Sequence, residues 1–177
     1  MLQIDRLGRL LGMERDVLAI ERRSDSEIIS SMYPDLPRFA AVVAPWDFDP
    51  DDVLHGVLVN VLGKRPLHVV DDPGAYLRRA IVNHVKSELR KVRTRRMTID
   101  LLKRSVDPVG TVAYPSDLSD LMGLRPTERA VLYLHDVEGM PFDEVAEAVG
   151  ITAGNARVTA SRARQKLKDV FSEEDHR

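Results

Sequence analysis

The sequence has no cysteine, a single tryptophan, and aromatic residues at only 5% of its 177 positions. Without cysteine there is no disulfide framework, no thiolate nucleophile and no cysteine-based zinc site. No apolar run approaches the roughly 20 residues that cross a bilayer, and charge interrupts the opening MLQIDRLGRLLGMERD too often for a signal peptide. The expectation is a cytoplasmic chain with no membrane insertion. P-loop, GxGxxG and GxSxG patterns are also missing, so no enzyme activity and no cofactor is expected.

Two short runs imitate metal sites and are read otherwise. Asp47, Asp49 and Asp51 are spaced like the start of a calcium loop, but Asp52 stands where that loop needs glycine and Leu58 where it needs glutamate. Helix capping accounts for them better. His135-Asp136 has no second histidine at helical ligand spacing and is read as a solvent-facing pair. Trp46, Phe142 and Phe171 are read as packing residues.

The chain is rich in charge, unevenly spread. The formal net charge is −2, but Arg78 to Arg104 holds ten basic residues against Glu88 and Asp100, a local +8. Arg157 to Lys168 holds five basic residues and no acid, and the remaining positions sum to −15. Two cationic segments in an acidic frame suit two nucleic-acid footprints and a surface for another partner.

Apolar residues recur with helical period and no alternating run is long enough for a strand, so the fold is expected to be all-α. Residues 1 to 27 form an Arg-rich lead-in. Ile29, Met32, Tyr33, Leu36, Ala40 and Val43 follow at helical spacing, interrupted by Pro34 and Pro37. Asp49-Pro50-Asp51-Asp52 is a helix start, combining a capping side chain, proline in the first turn and acids facing the helix dipole. Val53, Leu54, Val57, Leu58, Val61 and Leu62 line one face of that helix up to Gly63.

A longer helix is expected from Ala75 to Arg93, with Leu77, Ile81, Val85, Leu89 and Val92 on one side and Arg79, Asn83, Lys86, Arg90 and Arg93 on the other. Periodicity fades over 98–117, where Pro108, Gly110 and Pro115 mark a flexible linker between two small helical domains. Beyond it lie three helices: Thr127 to Val137, Phe142 to Val149, and one capped by Thr152 that turns Ala156, Ala160, Ala163, Leu167 and Val170 inward. Gly150 suits the left-handed end of the second. A short helix, a glycine turn and a second helix with small residues inside and arginine outside make a helix-turn-helix.

The run LRPTERAVLYLHDVEGMPFDEVAEAVGITAGNARVTASRARQKL resembles region 4 of the extracytoplasmic-function (ECF) group of sigma-70 family sigma factors. YPDLPRFA, DPDDVLHGVLVNVLG and DPGAYLRRAIVNHVKSELRK resemble region 2 of the same group, in the right order. The resemblance implies region 2 over 28–97, a linker over 98–117 and region 4 over 118–172. It implies an alternative sigma factor that binds core RNA polymerase and directs promoter-specific initiation. Region 2 then takes the minus-ten element through Asp72, Arg79, Asn83, Lys86 and Arg90. Region 4 takes the minus-35 element through Arg157, Ser161, Arg162, Arg164 and Lys166, with Arg164 and Lys166 on phosphates. Asp52, Val53, Leu54, His55 and Leu58 fall in the polymerase-binding helix. An anti-sigma factor is a common partner in the family.

The chain departs from the family pattern at His55-Gly56, commonly Gln-Glu, at Ser87, commonly Asp, at Tyr76, commonly Trp, and at Arg157-Val158-Thr159, commonly Lys-Ser-Arg. The competing reading is a stand-alone helix-turn-helix regulator of duplex DNA, which leaves the Arg79 to Arg93 stripe unexplained. A metal-dependent enzyme is a third reading, opposed by the lack of a ligand set.

Overall fold

The structure is a computed structural model that describes residues 23–102, 121 and 123–174. Among them there is no strand. The lead-in therefore falls almost wholly outside the described residues, as do residues 103–120 of the expected linker.

The sequence 29–43 forms two helices, α1 (Asp25–Met32) and α2 (Asp35–Val43). Pro34 separates them because it cannot donate to the ladder of the preceding turn, whereas Pro37 sits harmlessly in the first turn of α2. Ser24 caps α1, receiving the Glu27 N–H at 3.2 Å while the Glu27 carboxylate receives the Ser24 N–H at 2.8 Å. Helix α3 (Pro50–Leu62) starts as expected, with the Asp49 carboxylate accepting from the Asp51 N–H at 2.9 Å. Val53, Leu54, Val57 and Val61 are buried, but Leu62 at the end of the stripe is 41% exposed.

A single turn of 3₁₀ helix, Leu67–Val69, leads into α4 (Pro73–Leu102). This helix runs nine residues past Arg93 and takes up 98–102, which the fading periodicity assigns to the linker. No glycine or proline interrupts residues 75–102, so propensity carries the helix on after its packing face ends. Helix α5 (Pro126–Leu132) widens into a π-helical turn, Tyr133–Val137, followed by α6 (Phe142–Val149) and α7 (Ala153–Glu174). Gly150 ends α6 at φ 76°, and Thr152 receives the Asn155 N–H at 3.2 Å. Ala146 (5% exposed) faces the fully buried Ala156, Ala160 and Ala163, and these small side chains let α6 and α7 pack closely. Val170 lies beyond the packed stretch and is exposed, as is Phe171. Trp46 is 47% exposed, half outside the core it was expected to anchor.

Buried apolar residues form one cluster from Leu36 in α2 to Ala163 in α7. The two helical groups pack together, α2 against α5 and α4 against both α5 and α6. Val82, which lies outside the expected apolar stripe of α4, is also fully buried. Among the described residues no helix is long and apolar enough to cross a membrane.

Candidate nucleic-acid interface

Helix α4 presents Arg79, Asn83 and Arg90 as exposed side chains, with Lys86 half-buried beside them. The helix is anchored at its start by Asp72, whose Oδ1 accepts from the Ala75 N–H at 2.9 Å. Asp72 thus serves as a cap while remaining exposed on the loop. That loop is tied to α1 by the Asp25 carboxylate, which accepts the Leu67 N–H at 2.8 Å and lies 3.6 Å from the His68 imidazole.

Between α3 and α4 lies an open groove of about 560 Å³ whose lining includes Asn60, Lys64, Arg65, Tyr76, Arg79 and Asn83 and no carboxylate. The Arg65 guanidinium stands 5.2 Å from the Tyr76 ring centroid, a cation–π contact. Three cations, two amides and an aromatic face offer a phosphate and a base what each needs. Lys64, Arg65 and Tyr76 are not among the expected contact residues. The signal for them is the Lys64-Arg65 pair just after Gly63, in a loop that carries no helical periodicity.

The unusual Gly56 has a structural reason. A Cβ at that position would lie 3.1 Å from Cε1 of His84, so the missing side chain lets α3 and α4 approach at the histidine. The five residues expected in the polymerase-binding helix divide by burial. Val53 and Leu54 are each 4% exposed and belong to the core. Asp52 and His55 are exposed, Leu58 is half-buried, and Val59 and Leu62 add an apolar surface next to them.

On α7, Arg157, Ser161 and Arg162 are exposed. Arg157 lies over Phe142, 5.6 Å from the ring centroid, and Phe142 stacks on His135 at 3.8 Å. The stack holds Arg157 beside the turn between α6 and α7. Arg162 has no ion-pair partner among the described residues. Arg164 and Lys166 have other work. Arg164 grips Asp136 with two hydrogen bonds, the Nε bond at 3.0 Å, and Lys166 reaches Glu128 at 2.7 Å. The Arg164 bonds hold Asp136 below the usual carboxylate range, against a smaller opposing push from burial. Burial is the largest influence on Glu128 and raises its pKa, but Lys166 and the Arg125 N–H together outweigh it, so the net shift is down. Of the His135-Asp136 pair, Asp136 is exposed as expected, although it is paired with Arg164, whereas His135 is half-buried with Nδ1 2.8 Å from the Met140 carbonyl.

Arg129 is the largest omission from the sequence reading. It is 3% exposed and donates to the carbonyls of Leu124 at 2.7 Å, Val42 at 2.8 Å and Val43. Burial pushes its pKa down to about 10, which leaves it charged at neutral pH. Its signal is register: three and four residues on stand Leu132 and Tyr133, so it occupies the apolar face of α5. Among the described residues no group of three or more His, Asp or Glu side chains is placed to hold a metal ion.

Among the described residues the fold is all-helical, with the cationic helix α4 in one half and the helix-turn-helix of α6 and α7 in the other. Residues 121–167 match the Sigma-70, region 4 family. The chain is 30% identical over 120 residues to the probable ECF RNA polymerase sigma factor SigI of Mycobacterium tuberculosis, covering 60% of this chain and 41% of that protein. It is 28% identical over 157 residues to the RNA polymerase sigma-E factor of Streptomyces avermitilis, covering 84% and 86% of the two chains. Its fold is similar to that of the sigma factor RpoE from Bartonella quintana, solved in complex with the anti-sigma factor NepR, with a TM-score of 0.64, 18% identity, and coverage of 83% of this chain and 96% of that one. The chain is thus similar to ECF sigma factors over most of its length, and its residues 121–167 match the region 4 family. It spans about two fifths of the length of SigI.

Proposed function

We propose that the protein is an alternative sigma factor that binds core RNA polymerase in the cytoplasm and directs promoter-specific transcription initiation without catalysing a reaction itself. The observation that carries this reading is the presence, in one chain, of a helix-turn-helix with Arg157, Ser161 and Arg162 exposed and a separate cationic helix bordered by an acid-free groove. A stand-alone duplex regulator needs only the first.

In this reading residues 28–97 act as region 2, 118–172 as region 4, and 98–117 connect them. Arg79, Asn83, Lys86 and Arg90 hold the displaced strand of the minus-ten element, with Asp72 on the base-binding loop, and Lys64 and Arg65 extend the track. Arg157, Ser161 and Arg162 reach the minus-35 duplex; Arg164 and Lys166 act as struts and meet phosphates with whatever donor capacity their acids leave free. Asp52, His55 and Leu58, with exposed Val59 and Leu62, face the polymerase. An anti-sigma partner is proposed on the likeness to RpoE, which was solved bound to one.

The test is in vitro transcription with purified core polymerase and genomic fragments. The expected result is a stable complex with core and new start sites that share two upstream elements. Failure to bind core and to produce any new start site overturns the proposal.

A further inference from the structure

We propose that Val158 is a base-reading position of α7 and that it takes the 5-methyl group of a thymine in the major groove of duplex DNA. The proposal rests on the duplex-binding half of the sigma-factor reading and adds a sequence preference to it.

Ala156, Ala160 and Ala163 are fully buried on the side of α7 that packs against α5 and α6. Val158 stands two positions from both Ala156 and Ala160, so at 3.6 residues per turn it projects from the opposite side of the helix. It is 48% exposed there. One exposed valine is ordinary on a protein surface, but the surroundings of this one are not.

Gly154 lies one turn earlier on the same face. It is helical, and a Cβ added to it would meet nothing within 4 Å. Neither backbone conformation nor internal packing calls for glycine at that position, and glycine weakens a helix relative to alanine. What the bare turn provides is access from outside: a surface can approach the helix there and lie against Val158. Ser161 and Arg162, three and four residues further on, are exposed and continue the face, and Asn155 is exposed beside Gly154. From Gly150 to Lys168 the chain has no carboxylate, so the surface it suits is an anionic one.

The major groove meets these demands together. It admits a helix between walls of phosphate, and the apolar group on its base edges is the thymine methyl. A recognition helix leads with its N-terminal residues, here the two turns that carry Gly154, Val158 and Arg162. The other cations leave the centre of this face clear. Arg157 lies to one side over Phe142, 5.6 Å from the ring centroid, and Arg164 and Lys166 are paired with Asp136 and Glu128. Val158 offers methyl groups and no hydrogen bond, so it favours thymine at one position, while Ser161, Arg162 and Asn155 supply polar contacts to the neighbouring bases.

The probe is the set of duplexes enriched from a randomised library by the full chain, with and without core polymerase. Each thymine is then replaced in turn by deoxyuridine, which lacks only the methyl group. At one position the replacement should weaken binding about fourfold, which corresponds to roughly 0.8 kcal/mol for one buried carbon group. That difference should vanish in Val158→Ser and persist in Val170→Ser, a change at the exposed far end of α7. Gly154→Leu should lose at least tenfold in duplex affinity with an unchanged melting temperature. A deoxyuridine pattern that is the same in Val158→Ser as in the parent chain overturns the proposal, and an acidic protein surface as the true occupant would give that result. Enrichment of no sequence under either condition, or parental duplex affinity in Gly154→Leu, also overturns it. The methyl effect in duplexes selected by the chain alone, beside failure to bind core, leaves the Val158 assignment standing and removes the sigma-factor reading. New start sites with core and no Val158-dependent methyl effect do the reverse.

Discussion

The Arg129 guanidinium donates from Nε to the carbonyl oxygen of Val42 at 2.8 Å, across 87 positions of sequence. One buried cation thereby completes the end of α2 and joins the two halves of the molecule. Three carbonyls offset the cost of taking the charge out of water.

Replacing Arg129 by Ala should lower stability by about 2–4 kcal/mol, because two helix-end carbonyls lose their donor and a buried volume is left empty. Lysine should recover little, since an ammonium lacks the planar fork that meets three acceptors at once. Urea denaturation of the two variants checks both statements.

Arg162→Ala should weaken minus-35 reading by about 1–3 kcal/mol if the side chain makes a bidentate base contact, with unchanged thermal stability. Arg164→Ala should show the opposite pattern, a loss of stability of up to about 1 kcal/mol from the broken pair with Asp136. Anisotropy titrations on matched and mismatched duplexes, run beside melting curves, separate the two.

On the proposed function, Asn83→Ala should impair promoter melting more than closed-complex binding, because the exposed amide lies on cationic α4 and not on the helix-turn-helix. Permanganate footprinting of the minus-ten region measures it, and normal reactivity would contradict the assignment.

Acid should loosen the C-terminal half. Asp136 and Glu128 both have folded pKa values below their ordinary 3.8 and 4.5. The stability they contribute is therefore present above those values and is lost as pH falls through the lower folded ones. Glu138 has the opposite sign: burial raises its pKa, Arg78 opposes the shift, and its contribution falls as pH rises from 4.5 through the folded value. Asp136→Asn should be less stable at pH 7, by up to about 1 kcal/mol at this partly exposed pair, and should flatten the acid limb of a stability-against-pH curve.

Gly150→Ala should cost about 1–2 kcal/mol, since the turn holds φ at 76° and an added methyl group meets Arg79. Combining it with Arg79→Ala should recover only the steric part. A double-mutant cycle by thermal melting gives the division.

The helices were legible because their causes are local. Asp49, Thr152 and Gly150 act on neighbours two to four residues away, and each does so as expected. The alanines of α7 could be placed inward because a 3.6-residue period needs no knowledge of the partner. The end of α4 was less legible, since a helix can outlast the apolar stripe that announces it. The cationic segments were legible as charge but not as geometry. Arg157, Ser161 and Arg162 are exposed on α7 as expected, whereas Arg164 and Lys166 carry the same charge and are committed to Asp136 and Glu128, 28 and 38 positions away. Val53 and Leu54 share a helix with His55 yet face the core, because burial depends on what packs against each face.

The sequence by itself determined an all-helical chain, its caps and breaks, two cationic segments and a helix-turn-helix, all properties of residues a few positions apart. Only the tertiary structure decided that Arg129 would bind α2, that Arg79 would lie on Gly150, and that Val82 would be buried. Those outcomes depend on packing between segments that are distant in the chain, and charge and periodicity along one helix do not specify what another helix will cover.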